Sequence, residues 1–163
     1  GFLQFGPMLN VEFGLKDNLV LNTHLRFTNL GYASWLIRME TEELSHFSWI
    51  AFGAGVIYFV GDKQNKPYIG VLLEYESSTA TYAEFEDWEW SRDEGIFIFA
   101  FNGGYRFRFD GGFFINTGGF LGVSSNNYDW QYLDNTYDLN EPGGTGNTII
   151  PFLMFELSFG LEF

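Results

Sequence analysis

Seven charged side chains are spaced along the chain so that opposite charges could meet inside one protein. They are Glu12, Arg26, Glu74, Glu76, Arg106, Arg108 and Glu156. Each lies in a segment where apolar and polar residues alternate, and each occupies the polar positions of that segment. A buried charge is stable only with a partner, because an isolated one is costly. The spacing therefore predicts an interior ion-pair network with a structural role, and a small ion path is the alternative.

The two histidines are the candidate general bases of the chain. His24 lies on the polar positions of its segment, whereas His46 stands between Ser45 and Ser48. A serine nucleophile needs a base within hydrogen-bond reach. No local motif accompanies either histidine, so we expect no catalytic residues.

Acidic and aromatic residues interleave in two further segments. The segment 84–94 combines six acids with Phe85, Trp88 and Trp90, and Tyr128, Trp130 and Tyr132 follow later. Aromatic side chains are enriched at interface hot spots, so we expect candidate partner contacts here. Clustered carboxylates also suit Ca²⁺. The spacing of Asp134, Asp138, Asn140 and Glu141 matches no known calcium loop, so no cofactor or metal site is predicted with a defined ligand set.

The elements that must position these residues are strands, because apolar side chains recur at every second position. The clearest strand has Phe97, Phe99 and Phe101 alternating with Ala100 and Asn102. Six similar segments flank it. Their apolar positions begin at Leu3, Leu19, Ile50, Ile69, Phe113 and Ile149. The sequence predicts an all-β, up-and-down antiparallel fold in a single domain spanning residues 1–163.

Connections between the predicted strands alternate in length. The short ones are 16–18, 61–67 and 110–112, and the long ones are 39–46, 84–94 and 125–147. Transmembrane barrels have short turns at one end and long loops at the other. No charge falls on the apolar face of a predicted strand, where Arg or Lys would cost about 2–4 kcal/mol at the membrane midplane. A transmembrane β-barrel is therefore predicted.

Three other classes fit the composition less well. A soluble lipocalin-type barrel would place the apolar face inside, but an eight-stranded interior is too narrow for 20 Phe with the Leu and Ile. A helical span is excluded because the longest apolar run, 49–61, is short of about 20 residues. A net charge of −13 argues against nucleic acid.

The C-terminal segment carries a family resemblance. Phe155, Leu157, Phe159, Leu161 and Phe163 resemble the C-terminal signal that the outer-membrane assembly machinery reads. With the short turns, long polar loops and size, the whole chain resembles the small OmpA/OmpX-type outer-membrane barrels. The resemblance implies the outer membrane of a diderm bacterium, folding by the barrel assembly machinery, and contact with lipid and lipopolysaccharide.

Seven strands are counted, whereas bacterial single-chain barrels have an even number. We therefore expect an eighth strand, placed before Gly1. The predicted function is a non-enzymatic barrel that is structural or docks a partner, such as another outer-membrane protein, through acidic and aromatic loops. The alternatives are a lipid-modifying enzyme, similar to the lipid A palmitoyltransferase and deacylase barrels that use a His with Ser, and a narrow channel.

Overall fold

The chain folds into seven strands and no helix in the residues that the computed structural model describes, which are 8–27, 44–61, 65–84, 88–132 and 144–161. The strands are β1 (Met8–Lys16), β2 (Leu19–Phe27), β3 (Leu44–Phe59), β4 (Lys66–Glu84), β5 (Trp88–Arg108), β6 (Phe113–Tyr132) and β7 (Gly144–Leu161). No helix in these ranges is long and apolar enough to span a membrane. The prediction of an all-β fold is confirmed.

All seven strands form one sheet in chain order, and each pairs antiparallel with the next. This confirms the up-and-down arrangement. Tight turns join β1 to β2 and β5 to β6. In the second turn Gly111 and Gly112 have φ values of 86° and 83°, a left-handed conformation that glycine adopts without a Cβ clash. The Phe109 amide donates to the Phe113 carbonyl across this turn, at 2.8 Å.

The two faces of the sheet differ completely in exposure. One face is solvent-exposed although its side chains are large and apolar; Phe155, for example, is 79% exposed. We call the exposed apolar side chains of this outward face the apolar belt. They include Leu9, Phe13, Phe52, Ile69, Leu73, Phe97, Phe101, Leu121, Leu153, Phe155 and Phe159. The other face is buried: Ala100 is 0% and Ile98 1% exposed.

The sheet curls so strongly that distant strands touch across the buried, concave face. Arg106 of β5 reaches Glu12 of β1, and Arg26 of β2 reaches Met154 of β7. Strands β1 and β7 are the two edges of the sheet, and no register pairs them within the described residues. The concave face is therefore enclosed by neighbouring strands everywhere except along the seam between β1 and β7.

The long connections differ from their prediction because the strands continue into them. Strand β4 ends at Glu84 and β5 already begins at Trp88, while β6 runs to Tyr132 and β7 begins at Gly144. Residues 84 and 88–94 of the first predicted loop, and residues 125–132 and 144–147 of the third, are thus strand, while 39–46 overlaps the start of β3 at Leu44. The strand signal was lost because the outward side chains become polar there, which removes the apolar alternation.

We call these continuations the polar extension; it comprises residues 77–84 of β4, 88–95 of β5, 125–132 of β6 and 144–148 of β7. Its outward positions include Thr79, Asp93, Asn127, Asp129 and Gln131. Asp93 and Asp129 are register partners and both are exposed. The outward face therefore carries charge in the polar extension, whereas the apolar belt carries none in the described residues.

Candidate functional site

An arginine of β5 organises the lower half of the concave face, nearest the tight turns. Arg106 Nη2 donates to Glu12 Oε1 on β1 at 2.6 Å, and its Nε donates to Asn116 Oδ1 on β6 at 2.7 Å. The Arg106 side chain is 3% exposed. Its guanidinium lies between the rings of Phe59 and Phe114, at 4.5 and 4.1 Å from their centroids. Charge and stacking thus both hold Arg106 in one position.

The hydrogen bonds continue from Asn116 to the C-terminal strand. Asn116 Nδ2 donates to Ser158 Oγ at 3.1 Å, and Ser158 Oγ donates to Glu156 Oε1 at 2.9 Å. Tyr68 of β4 donates its hydroxyl to the other oxygen of Glu156 at 2.7 Å. We call this connected set the Arg106 network; its members are Glu12, Tyr68, Arg106, Asn116, Glu156 and Ser158. It links β1, β4, β5, β6 and β7 through side chains alone.

Two glycines make room for the long reach of Tyr68. A Cβ on Gly104 would lie 2.5 Å from the Tyr68 hydroxyl, and one on Gly118 would lie 2.7 Å from it. Such distances are not tolerated, so the tyrosine crosses β5 and β6 only because both positions lack side chains. These glycines explain how a residue of β4 binds one of β7.

A second cluster of charges lies higher on the concave face. Arg26 Nη2 donates to Glu76 Oε1 at 2.8 Å and also bonds to Glu74 Oε1, while His24 Nε2 contacts Glu74 Oε2. We call these four residues the Glu74 cluster. Glu74 and Glu76 are each 2% exposed. The cluster is buried and internally paired, which is the condition under which such charges are tolerated.

Gly53 leaves space for the ring of His24, because a Cβ at this position would lie 2.3 Å from His24 Cε1. Arg26 also lies over the Trp49 ring at 5.0 Å and donates to the Met154 sulfur at 3.8 Å. The Glu74 cluster therefore spans from β2 to β4 and, through Arg26, to β7.

A chamber of about 1020 Å³ lies between the two groups and opens at the seam. Its walls include Glu12, Glu74, Arg106, Arg108 and Glu156. Outward-facing residues of both edges, including Val11 and Leu157, also line it. The chamber therefore extends through the seam as well as across the concave face.

The residues predicted to form an ion-pair network divide between the two groups. Glu12, Arg106 and Glu156 belong to the Arg106 network, and Arg26, Glu74 and Glu76 to the Glu74 cluster. Arg108 lines the chamber, and its backbone amide donates to Asn65 Oδ1 at 2.7 Å. Opposite charges thus meet across strands that are far apart in sequence.

Tyr68, Asn116 and Ser158 were not singled out from the sequence. Tyr68 occupies the same alternate positions of β4 as Glu74 and Glu76, which was the available signal. Its aromatic type masked it, because large aromatics dominate the opposite face elsewhere. The facing glycines could not be paired with it without the sheet register.

The predicted partner contacts lie in strands and not in loops. Trp88 and Trp90 are backbone members of β5, and Trp90 is the register partner of Tyr132; the side chains of these three lie outside the described residues. Tyr128 and Trp130 pack across Gly146 and Gly144 of β7, where a Cβ would meet their rings at 2.3 and 2.4 Å.

An arginine fixes this end of the sheet. Arg92 lies over the Tyr128 ring at 4.5 Å and pairs with Glu94 at 2.5 Å. Thr79 Oγ1 donates to Asp93 Oδ1 at 2.6 Å on the outward side. The polar extension is thus an ordered, two-sided polar sheet.

Candidate catalytic and metal groups are placed as follows. His24 is 8% exposed and engages Glu74, and no serine hydroxyl bonds to it in the described ranges. The side chain of His46 lies outside these ranges, as do Asp134, Asp138, Asn140 and Glu141. Across the part of the chain that is described, no three His, Asp or Glu side chains are grouped to hold a metal ion.

The C-terminal aromatic and aliphatic residues lie on the outward face of β7. Leu157, Phe159 and Leu161 are 67%, 63% and 60% exposed, and Phe155 is the most exposed of the set. Phe163 lies outside the described residues.

No family model, curated protein or solved structure matches the chain.

Proposed function

We propose that the chain is a transmembrane β-barrel of a bacterial outer membrane, with a structural and partner-docking role. One observation carries this proposal: among the described residues the outward face is apolar and exposed, while every charge at the height of the apolar belt lies on the concave face. Water would disfavour this arrangement, because burying an apolar side chain is worth about 1.5–3 kcal/mol. A lipid environment instead favours apolar side chains on the outward face.

The height of the apolar belt fits a bilayer. From Phe97 of β5 to Phe109, one residue past the end of this strand, it covers about 40 Å of chain at about 3.3 Å per residue. A tilt of about 40° reduces this to about 30 Å across the membrane, close to the apolar band of outer-membrane barrels. Hydrogen bonding also requires closure, since an open sheet edge is not tolerated in lipid. An eighth strand between β1 and β7 would provide it.

The concave face supports a structural role over conduction or catalysis. The Arg106 network and the Glu74 cluster tie together strands on opposite sides of the curl. Above the chamber, Ala51, Ile98 and Ala100 are almost fully buried. Side-chain pairs that cross the lumen, together with these buried apolar residues, stabilise the wall and narrow the lumen.

The polar extension supports the docking role. It projects the sheet beyond the apolar belt, and Arg92, Glu94 and Tyr128 hold it together. Its outward side presents Asp93 and Asp129 beside Asn127 and Gln131. A rigid acidic surface above the membrane suits a basic patch of another outer-membrane protein, or lipopolysaccharide phosphates bridged by divalent cations.

Co-purification from native membranes in mild detergent tests the docking role. We expect the wild-type chain to elute with a stoichiometric partner, and the double variant Asp93→Asn/Asp129→Asn to lose it. The matched control is Asp17→Asn/Asp110→Asn, which removes the same charge from the turn end and should keep the partner. Elution of the wild-type chain as a lone monomer would contradict docking.

Membrane insertion is measured separately. The purified chain is refolded into phospholipid vesicles and treated with protease. We expect residues of the apolar belt to be protected and the turn and extension ends to be cleaved from opposite sides. Complete digestion in intact vesicles would overturn the transmembrane assignment.

A further inference from the structure

We infer that the seam between β1 and β7 binds one β-strand with basic hydrogen-bond donors facing the chamber and apolar side chains facing lipid. This inference rests on the proposed transmembrane barrel. The juxtaposition that supports it is two edges that no described strand pairs, beside a chamber to which the described parts of these edges contribute the acids Glu12 and Glu156 and no base.

The direction of the strand follows from the topology. Successive strands are antiparallel, so β1 and β7, an even number of steps apart, run parallel to each other. A single strand running the opposite way is antiparallel to both. Its length is set by the shorter edge, β1, which has 9 residues; membrane-spanning strands need about 9–11.

The side-chain contacts across the concave face favour one strand over a second sheet as the occupant. Glu12 and Arg106 already meet at 2.6 Å across the concave face, and Arg26 reaches Met154 at 3.8 Å. Two copies joined edge to edge would need each sheet to open and separate these pairs. A single strand completes the ring and preserves them.

The inward chemistry of the strand follows from the seam walls. On the described parts of β1 and β7 the charged residues facing the chamber are Glu12 and Glu156. Glu12 pairs with Arg106, whereas Glu156 accepts hydrogen bonds from the neutral hydroxyls of Tyr68 and Ser158. A basic side chain on the incoming strand would supply the cation that Glu156 lacks among the described ion pairs.

A buried amide oxygen points to a further donor. Asn10 of β1 lines the chamber, and its Oδ1 is shielded from solvent and accepts no hydrogen bond from the described residues. Leaving a buried acceptor unpaired costs about 1–3 kcal/mol, which donors on the strand would recover. Its other side chains must be apolar, because the flanking residues Val11 and Leu157 belong to the outward face.

The test uses the 163-residue chain in vesicles with two synthetic nine-residue peptides. Both have Leu and Val at the outward positions; one has Lys and Asn at the inward positions and the other has Glu and Asn. We expect the basic peptide to bind one to one, at least tenfold more tightly than the acidic peptide. Glu156→Gln should reduce this preference, while Asp110→Asn in the turn between β5 and β6 should not change it.

Because the chain has no cysteine, single cysteines report the geometry. Val11→Cys on β1 and Leu157→Cys on β7 should each form a disulfide with a basic peptide carrying one outward cysteine. Chain-to-chain disulfides in place of peptide adducts would show that a second copy occupies the seam. Equal binding of both peptides, or binding of neither, would overturn the inference.

The vesicle protease assay separates the two possible failures. If the chain is protected in vesicles but does not discriminate between the peptides, the seam inference fails and the barrel proposal stands. If the chain is digested, the barrel proposal itself fails.

Discussion

Arg26 shows how single residues hold the concave face. Its guanidinium serves two carboxylates, Glu74 and Glu76, that have almost no contact with water. Removing one partner of a buried ion pair lowers the free energy of unfolding by more than the intact pair contributes, because an uncompensated charge stays buried. Stability should therefore be most sensitive at Arg26.

We expect Arg26→Ala to lower the free energy of unfolding by about 3–5 kcal/mol, the usual loss for a broken buried ion pair. The matched control is Arg92→Ala, since the Arg92 side chain is 35% exposed and exposed pairs are worth about 0–1 kcal/mol. Urea unfolding of both variants in vesicles measures the difference. Equal losses would mean that the Glu74 cluster does not hold the fold.

Adjacent glycines of β5 provide a second comparison. A Cβ on Gly104 would lie 2.4 Å from the Thr117 carbonyl oxygen, whereas on Gly103 the nearest atom would be 3.7 Å away. We expect Gly104→Ala to cost about 1–3 kcal/mol through overpacking and Gly103→Ala to change stability little. The same unfolding assay decides; a greater loss for Gly103→Ala would contradict the crossing of Tyr68 over Gly104.

At the scale of the element, each strand has a segment with apolar outward side chains and, in β4–β7, a polar continuation. The apolar segments were predictable from sequence because apolar side chains recur in them at every second position. The continuations were not, because Thr79, Asp93 and Asn127 face outward into water and the alternation disappears while the backbone pairing persists. Sequence patterning therefore located the apolar segments better than the strand ends.

Position along the strand should decide the effect of a new charge. Phe101→Arg places a cation in the middle of the apolar belt, where we expect a loss of about 2–4 kcal/mol. Gln131→Arg places it on the outward side of the polar extension, where exposed changes stay within about 0.5 kcal/mol. Reversible unfolding from vesicles compares the two. Similar values would place Phe101 in water.

For the whole molecule, the sequence predicted which residues share the concave face but not which of them meet. The faces follow from alternation alone, whereas the contacts of Glu12 with Arg106 and of Tyr68 with Glu156 depend on how far the sheet curls. Curvature is set by register and by glycines such as Gly104 and Gly118 across several strands. No local pattern contains that information.

The side-chain pairs that cross the concave face predict that the molecule does not conduct ions. We expect planar bilayers containing the chain to show no current steps above baseline, because the Arg106 network and the Glu74 cluster obstruct the lumen. Protease protection in vesicles from the same preparation provides the control for insertion. Regular steps of fixed conductance would show that the pairs leave a path and would favour the narrow channel.

The chain-order topology of the sheet also has a kinetic consequence. Every strand pairs with its sequence neighbour, so the hairpins close short loops at small entropic cost. The pair between Glu12 and Arg106 spans 94 residues, and such contacts form late when closure of the whole chain must precede them. Charge deletions on the concave face should therefore accelerate unfolding and leave the folding rate nearly unchanged. We therefore expect the interior polar pairs to stabilise the folded state without contributing to the folding nucleus.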